Sequence, residues 1–178
     1  GATAAVTTPF LNGSTGMVTL DDGALEAAAE YARTNKIQLS VHAMGDRAVG
    51  RIIDFFEDQT PWLEDRPSVR IEHATFLNEA QLARMNASAM RFGVTTQVIF
   101  PYAEIEGYRA VLAPKDLERV YPVRTVSSAL DAFALSSDAP ATAWADPDDP
   151  FVSMGAAVTR TAWDGTVFNR SEAVSCEE

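Results

Sequence analysis

The stretch Ile37-Gln38-Leu39-Ser40-Val41-His42-Ala43-Met44-Gly45-Asp46-Arg47-Ala48-Val49-Gly50-Arg51-Ile52-Ile53 changes its period midway. Residues Ile37 to Val41 alternate apolar and polar, the two-residue repeat of a strand. From Arg47 to Glu57 the apolar residues Val49, Ile52, Ile53 and Phe56 recur at helical spacing instead. A strand therefore runs into a histidine, a short turn and an amphipathic helix.

The same unit recurs on both sides. Upstream, Leu25, Ala28, Ala29 and Ala32 predict a helix over Asp22 to Thr34, with acidic residues at its positive N-terminal end. Downstream, Val69-Arg70-Ile71-Glu72 reads as a strand ending at His73, and Asn78 is placed to cap a helix running to about Arg91. Val94 to Phe100 reads as a third strand closed by Pro101. Pro114 to Val120 and Val126 to Ala132 read as helices, and Phe133 to Ser136 as a fourth strand ending at Ser137-Asp138. A last helix is predicted over Val152 to Arg160. Strands alternating with helices imply a parallel sheet with α/β crossovers. Four such units make one α/β domain over 1–178, either an open four-stranded sheet or half of an eight-stranded barrel, which typically needs about 250 residues.

Composition narrows the function. The chain has 178 residues, 47% of them apolar, which supports a core. Its formal net charge of -11 argues against nucleic acid or an anionic membrane as partner, because both demand basic patches. No apolar run reaches the roughly 20 residues of a membrane span. The single cysteine, Cys176, excludes a disulfide scaffold within the chain and a cysteine-rich zinc site. With no signal-like segment, a cytoplasmic setting is expected. Neither end carries a start or stop signal, so a cut through a longer chain is expected at both.

Only two histidines are present, and each directly follows a predicted strand; Asp138 stands in the same place after the fourth. His42 and His73 are one βα unit apart and Asp138 two further on, at roughly 30 or more residues per unit. Three metal-competent side chains thus fall at the C-terminal ends of parallel strands, where α/β folds build their sites. Two imidazoles and a carboxylate are a three-ligand set that leaves a position open for water, as a hydrolytic zinc requires. A lone histidine at a strand end is more often a packing residue, and register alone leaves that reading ahead.

The motifs around these residues shift the balance. Val41-His42-Ala43-Met44-Gly45-Asp46-Arg47-Ala48, Ile71-Glu72-His73-Ala74, Tyr121-Pro122-Val123-Arg124, Ser136-Ser137-Asp138-Ala139-Pro140 and Ala156-Ala157-Val158-Thr159-Arg160 follow one another in order, with Gly93 to Gln97 between. Together they resemble the amidohydrolase branch of exoenzyme-regulatory-protein-like and N-substituted formamide deformylase-like enzymes, from about Thr3 to Glu178. The resemblance implies a TIM-like barrel of which this chain holds about strands five to eight. It implies His42 and His73 as metal ligands, and Asp138 as both ligand and general base. The metal expected is zinc, the substrate a small amide, formamide or cyclic amide. Gln97 would line the pocket. Asp46 and Arg47 are read as supports behind the ligands or as helix-start residues, and Trp144 as a candidate pocket wall.

The branch also needs a His-x-His pair on strand one and a ligand on strand four, and no further histidine exists here. Little or no catalysis is expected of the chain alone, and its metal site is expected to be weak or empty. An open half-barrel would leave two sheet edges and an exposed apolar face, which pairing of two copies would cover. The competing reading is a non-catalytic α/β module for binding or assembly. Nucleotide binding finds no support, because Asn12-Gly13-Ser14-Thr15-Gly16 precedes a strand-like run where a phosphate loop would open a helix.

Overall fold

The computed structural model of the chain describes residues 2–142 and 144–177. Four parallel strands, β1 (Leu39–Ala43), β2 (Val69–His73), β3 (Phe92–Thr96) and β4 (Phe133–Leu135), lie side by side in sequence order. Leu39 pairs with Val69, Val69 with Phe92, and Val94 with Phe133. This is the partial barrel expected of strand–helix alternation: each strand returns to the same edge of its predecessor after a helical crossover.

One face of the sheet is apolar and covered. Val41, Ala43, Val69, Ile71, Phe92 and Val94 pack into a core with α1 (Asp22–Asn35), α2 (Asp46–Phe56), α3 (Glu79–Ala87) and α7 (Val123–Ala129). The helices form where the sequence predicts for local reasons. Asp21 caps α1 by accepting from Ala24 N–H, and α1 ends at left-handed Lys36. Asn78 and Gln81 complete a capping box on α3. Ser88 then leaves the helical region, and its hydroxyl stands within hydrogen-bonding distance of the Met85 and Met90 carbonyls, so α3 stops before Arg91.

The other sheet face is open, and here the expectation of an exposed apolar surface fails. Ser40 is exposed there, and Arg70 and Glu72 are half-buried, tied by an ion pair at 2.6 Å; the Ser40 hydroxyl donates to the same carboxylate. Strict alternation along β1 and β2 puts polar residues on the face that a full barrel would close around.

The segment after β3 also differs from its reading as strand. β3 ends at Thr96, and Ile99–Ala103 forms a short helix, α4, followed by α5 (Ile105–Val111) and α6 (Pro114–Leu117). The run Val98-Ile99-Phe100 is apolar because it enters a second core with Ile105, Leu117, Val120 and Phe168, not because it alternates in a sheet. Pro101 is tolerated in the first turn of α4, where no intrahelical N–H bond is lost. The last helix, α8 (Pro150–Thr159), starts at Asp149, which accepts from Phe151 N–H, so part of the acidic loop serves as a cap. None of the helices among the described residues is long and apolar enough to cross a membrane.

Candidate active site

The strand register sets the starting geometry. His42 is paired with Glu72 on the open face, and His73 lies opposite Ala43, with the covered-face parity of β2. Ordinary β geometry would send the two imidazoles to opposite sides of the sheet. They meet instead: the ring centroids are 4.5 Å apart in an edge-to-face arrangement. The cause is the backbone at the end of β2. His73 has φ +72° and Ala74 φ +47°, left-handed values that redirect the His73 side chain as the strand ends. Neither residue is glycine, so the conformation is held against its own steric cost. Three contacts hold it. Ala74 N–H donates to the Ala43 carbonyl, Phe76 N–H to the Met44 carbonyl, and the buried Thr96 hydroxyl to the His73 carbonyl at 2.6 Å.

Asp138 follows β4 in the same left-handed region, at φ +52°, and its Oδ2 stands 3.9 Å from His73 Nε2. Residues 42, 73 and 138, singled out from their place after strands, are thus brought to one end of the sheet. His42 is exposed, His73 is 7% exposed, and the Asp138 side chain is 44% exposed. Burial and then the neighbouring His42 ring hold the His73 pKa below its usual 6.5, against the opposing pull of Asp138, Gln97 and Glu72. His73 is therefore neutral at pH 7, with a lone pair to offer. Its Nδ1 is buried without a hydrogen-bond partner. Phe100 stacks on the same ring at 5.8 Å.

The donor types suit a divalent cation. Donors on one tetrahedral ion stand about 3.3 Å apart, given metal–ligand distances of roughly 2.0–2.1 Å. The 3.9 Å between Nε2 and Oδ2 exceeds that slightly, and among the described residues no three His, Cys, Asp or Glu side chains converge in ligating geometry. The arrangement is an imidazole pair with a carboxylate at its side, loosely set.

A cavity of about 430 Å³ opens at this end of the sheet, lined by His42, His73 and Asp138. Its other walls come from Phe10, Phe76, Phe100, Glu104 and Tyr108, together with neighbouring aliphatic residues. Glu104 and Tyr108 were not foreseen, because no element is predicted between Pro101 and Pro114, where α5 forms. The spacing of Ile105, Tyr108 and Leu112 was the available signal for a helix. Gln97 and Trp144 are not among the cavity's lining residues. Gln97 is buried, and its amide donates to the Ser136 hydroxyl at 2.8 Å. It lies near enough to His73 to favour the protonated ring, although no regular hydrogen bond joins them. Trp144 packs edge-to-face on Tyr102, 5.1 Å away.

Asp46 and Arg47 take the helix-start role. Asp46 is buried at the first turn of α2, and its Oδ1 accepts from Thr7 N–H at 2.7 Å and from Arg47 N–H at 3.0 Å. The Ala5 carbonyl accepts from the N–H groups of Arg47 and Ala48, and a Cβ at Gly45 would run into that same carbonyl. Gly45 and Asp46 thus fasten the N-terminal segment, which supplies Phe10 to the cavity, across the start of α2.

The chain is similar in structure to an uncharacterized metal-dependent hydrolase from Pyrococcus furiosus, with 26% identity and a TM-score of 0.77 over 98% of this chain. It is also similar in fold to an uncharacterized metal-dependent hydrolase from Pyrococcus horikoshii OT3, with 23% identity and a TM-score of 0.79 over 97% of this chain. It spans 34% of the length of each. No curated protein matches it. The sequence matches the amidohydrolase family over residues 1–178. The strand ends, the histidine pair and the order of motifs agree with that match: the chain belongs to the amidohydrolase family.

Proposed function

We propose that the chain is the part of a metal-dependent hydrolase that carries about barrel strands five to eight, and that the parent site cleaves a C–N bond in an amide, formamide or cyclic amide. The branch we favour is the one of exoenzyme-regulatory-protein-like and N-substituted formamide deformylase-like enzymes. The observation that carries the reading is the meeting of His42 and His73 beside Asp138, achieved through left-handed backbone at two non-glycine strand ends. Strain of that kind persists where the surroundings hold it in place, and it concentrates at functional sites.

His42, His73 and Asp138 would hold the ion, most simply zinc. Bound there, it would supply Lewis acidity for the substrate carbonyl and acidify a water. The chain's own residues do the rest. Asp138 Oδ2 accepts the proton of the attacking water and returns it to the departing nitrogen. His73, buried and stacked on Phe100, fixes the inner side of the site, and apolar walls flank it, while His42 and Asp138 face solvent. With two histidines in the whole sequence, the chain alone cannot supply a strand-one His-x-His pair, and it is expected to turn over little or no substrate. The free edges of β1 and β4 favour association of copies; light scattering that finds a strict monomer at micromolar concentration would remove that part of the reading.

Elemental analysis after incubation with zinc tests the core of the proposal. Weak zinc uptake by the intact chain, lost in His42→Ala, His73→Ala and Asp138→Ala, is the expected result. Metal retained undiminished in all three variants would sink it.

A further inference from the structure

The charges that line the cavity are one-sided. Asp138 and Glu104 contribute carboxylates, and among the described residues no lysine or arginine lines it. Ion binding by the histidine pair and Asp138 would engage one of these carboxylates and leave Glu104 as the unneutralised group. Glu104 is also fixed in place. It stands at the junction of α4 and α5, and its Oε1 accepts from the buried Thr142 hydroxyl at 2.9 Å. Thr142 follows directly on the turn closed by Ala141 N–H and the Asp138 carbonyl at 2.8 Å, so one loop orients both acids.

The Glu104 charge faces inward. It is the smallest of the causes, after burial and Tyr121, that raise the pKa of Tyr108 well above 10, and Tyr108 lines the same cavity. The Tyr108 hydroxyl is engaged by Tyr121 at 2.8 Å. The remaining walls are mostly apolar, with the rings of Phe10, Phe76 and Phe100, and include Met44 and Thr75. An anionic substrate would meet two carboxylates there and no cation. A ligand with an aryl or alkyl body and an ammonium group meets apolar walls, aromatic faces and one oriented carboxylate.

Resting on the site assigned above, we propose that the cavity selects an amide whose non-reacting part joins an apolar group to a positively charged amine, and that Glu104 is the residue that recognises the amine. Substrates with a free carboxylate in that position are rejected by like charge.

Titration of the intact chain in metal-free buffer at pH 7, followed by NMR, tests this with 2-phenylethylammonium, 3-phenylpropanoate and neutral 2-phenylethanol as probes. The ammonium is expected to bind about tenfold more tightly than the carboxylate, the scale of one charge-assisted hydrogen bond. Measured in an Asp138→Asn background, so that Glu104 is the one carboxylate lining the cavity among the described residues, Glu104→Gln should remove that preference and leave 2-phenylethanol binding unchanged, while Glu104→Asp keeps a preference of the same sign. Equal binding of the two ions, no ammonium binding at millimolar concentration, or a preference that survives Glu104→Gln would each overturn the assignment. Because no metal is present, the result is separable from the zinc measurement: a chain that takes up zinc and shows no ammonium preference keeps the hydrolase reading and loses this one, and the converse outcome does the reverse.

Discussion

The imidazoles of His42 and His73 meet 4.5 Å apart although the strand ladder pairs His42 with Glu72. The contact exists because the backbone inverts at His73, and the buried Thr96 hydroxyl grips the inverted carbonyl at 2.6 Å. Thr96→Val keeps the shape and removes the donor. It should weaken zinc uptake about tenfold, the usual effect of removing a group that orients a ligand. It should also lower stability by about 1–2 kcal/mol, since it leaves a buried carbonyl short of its partner. A zinc isotherm and a urea titration measure the two effects. Thr95→Val, on the half-open neighbouring position, is the control and should change neither.

Gly45 and Gly155 make opposite forecasts for one substitution. A methyl group at Gly45 runs into the Ala5 carbonyl, the acceptor for the first N–H groups of α2. Gly45→Ala must therefore push the N-terminal segment away, at a cost of about 2 kcal/mol or more. Gly155 lies in α8, exposed and with open space where a Cβ would stand. Gly155→Ala should raise stability by about 0.5–1 kcal/mol through helix propensity alone. Chemical denaturation of the two variants beside the parent settles both signs.

How far the sequence led is clearest at these residues. Positions 42, 73 and 138 were legible as strand-end residues, because strand periodicity and motif order fix where a chain leaves a sheet. The inversion at His73 and Asp138 was not, since histidine and aspartate enter the left-handed region more often than most residues but far less readily than glycine, too weak a signal to place it. Gly45 could be read as a turn residue but not as the seat of Ala5, a contact spanning forty positions. The run Val98 to Pro101 misled because apolarity without alternation suits a buried strand and a short buried helix alike. Glu104 and Tyr108 were missed because no element is predicted between Pro101 and Pro114. The expectation of an apolar open face overlooked the alternation in β1 and β2 that places Ser40, Arg70 and Glu72 there.

The tyrosine pair beneath the cavity sets an alkaline limit. Burial is the main reason that the Tyr121 pKa is pushed up to about 12 and that of Tyr108 well above 10. The unfolded chain would lose these protons near pH 10. Between about pH 10 and 12 the folded state therefore binds more protons than the unfolded state, and stability falls as pH rises. The contribution is whole below pH 10. Absorbance titration should show Tyr108 and Tyr121 ionising above pH 10, together with unfolding. Tyr121→Phe should shift the alkaline unfolding midpoint upward; a midpoint unchanged in both Tyr121→Phe and Tyr108→Phe would refute this account.

Arg160, the last residue of the Ala156 to Arg160 motif, is fully buried and, among the described residues, has no carboxylate in hydrogen-bonding contact. It sits at the left-handed end of α8, its guanidinium 4.7 Å above the Phe168 ring, and donates to the carbonyls of Val120, Tyr121 and Asn169. Asn169 donates to the Val120 carbonyl as well, so the two side chains knot the start of α7, the end of α8 and the C-terminal segment. Only a planar fork with several N–H groups reaches carbonyls in those directions. Arg160→Met fills much of the volume but leaves the Tyr121 and Asn169 carbonyls without these donors, and should cost about 3–5 kcal/mol. Arg160→Lys keeps the charge and still loses the fork, so it should recover less than half of that. Because Tyr121 bonds back to the Thr75 carbonyl at the cavity wall, both variants should also perturb the His42 and His73 imidazole resonances. Full stability in Arg160→Lys would show that the charge, and not the fork, is what holds this corner together.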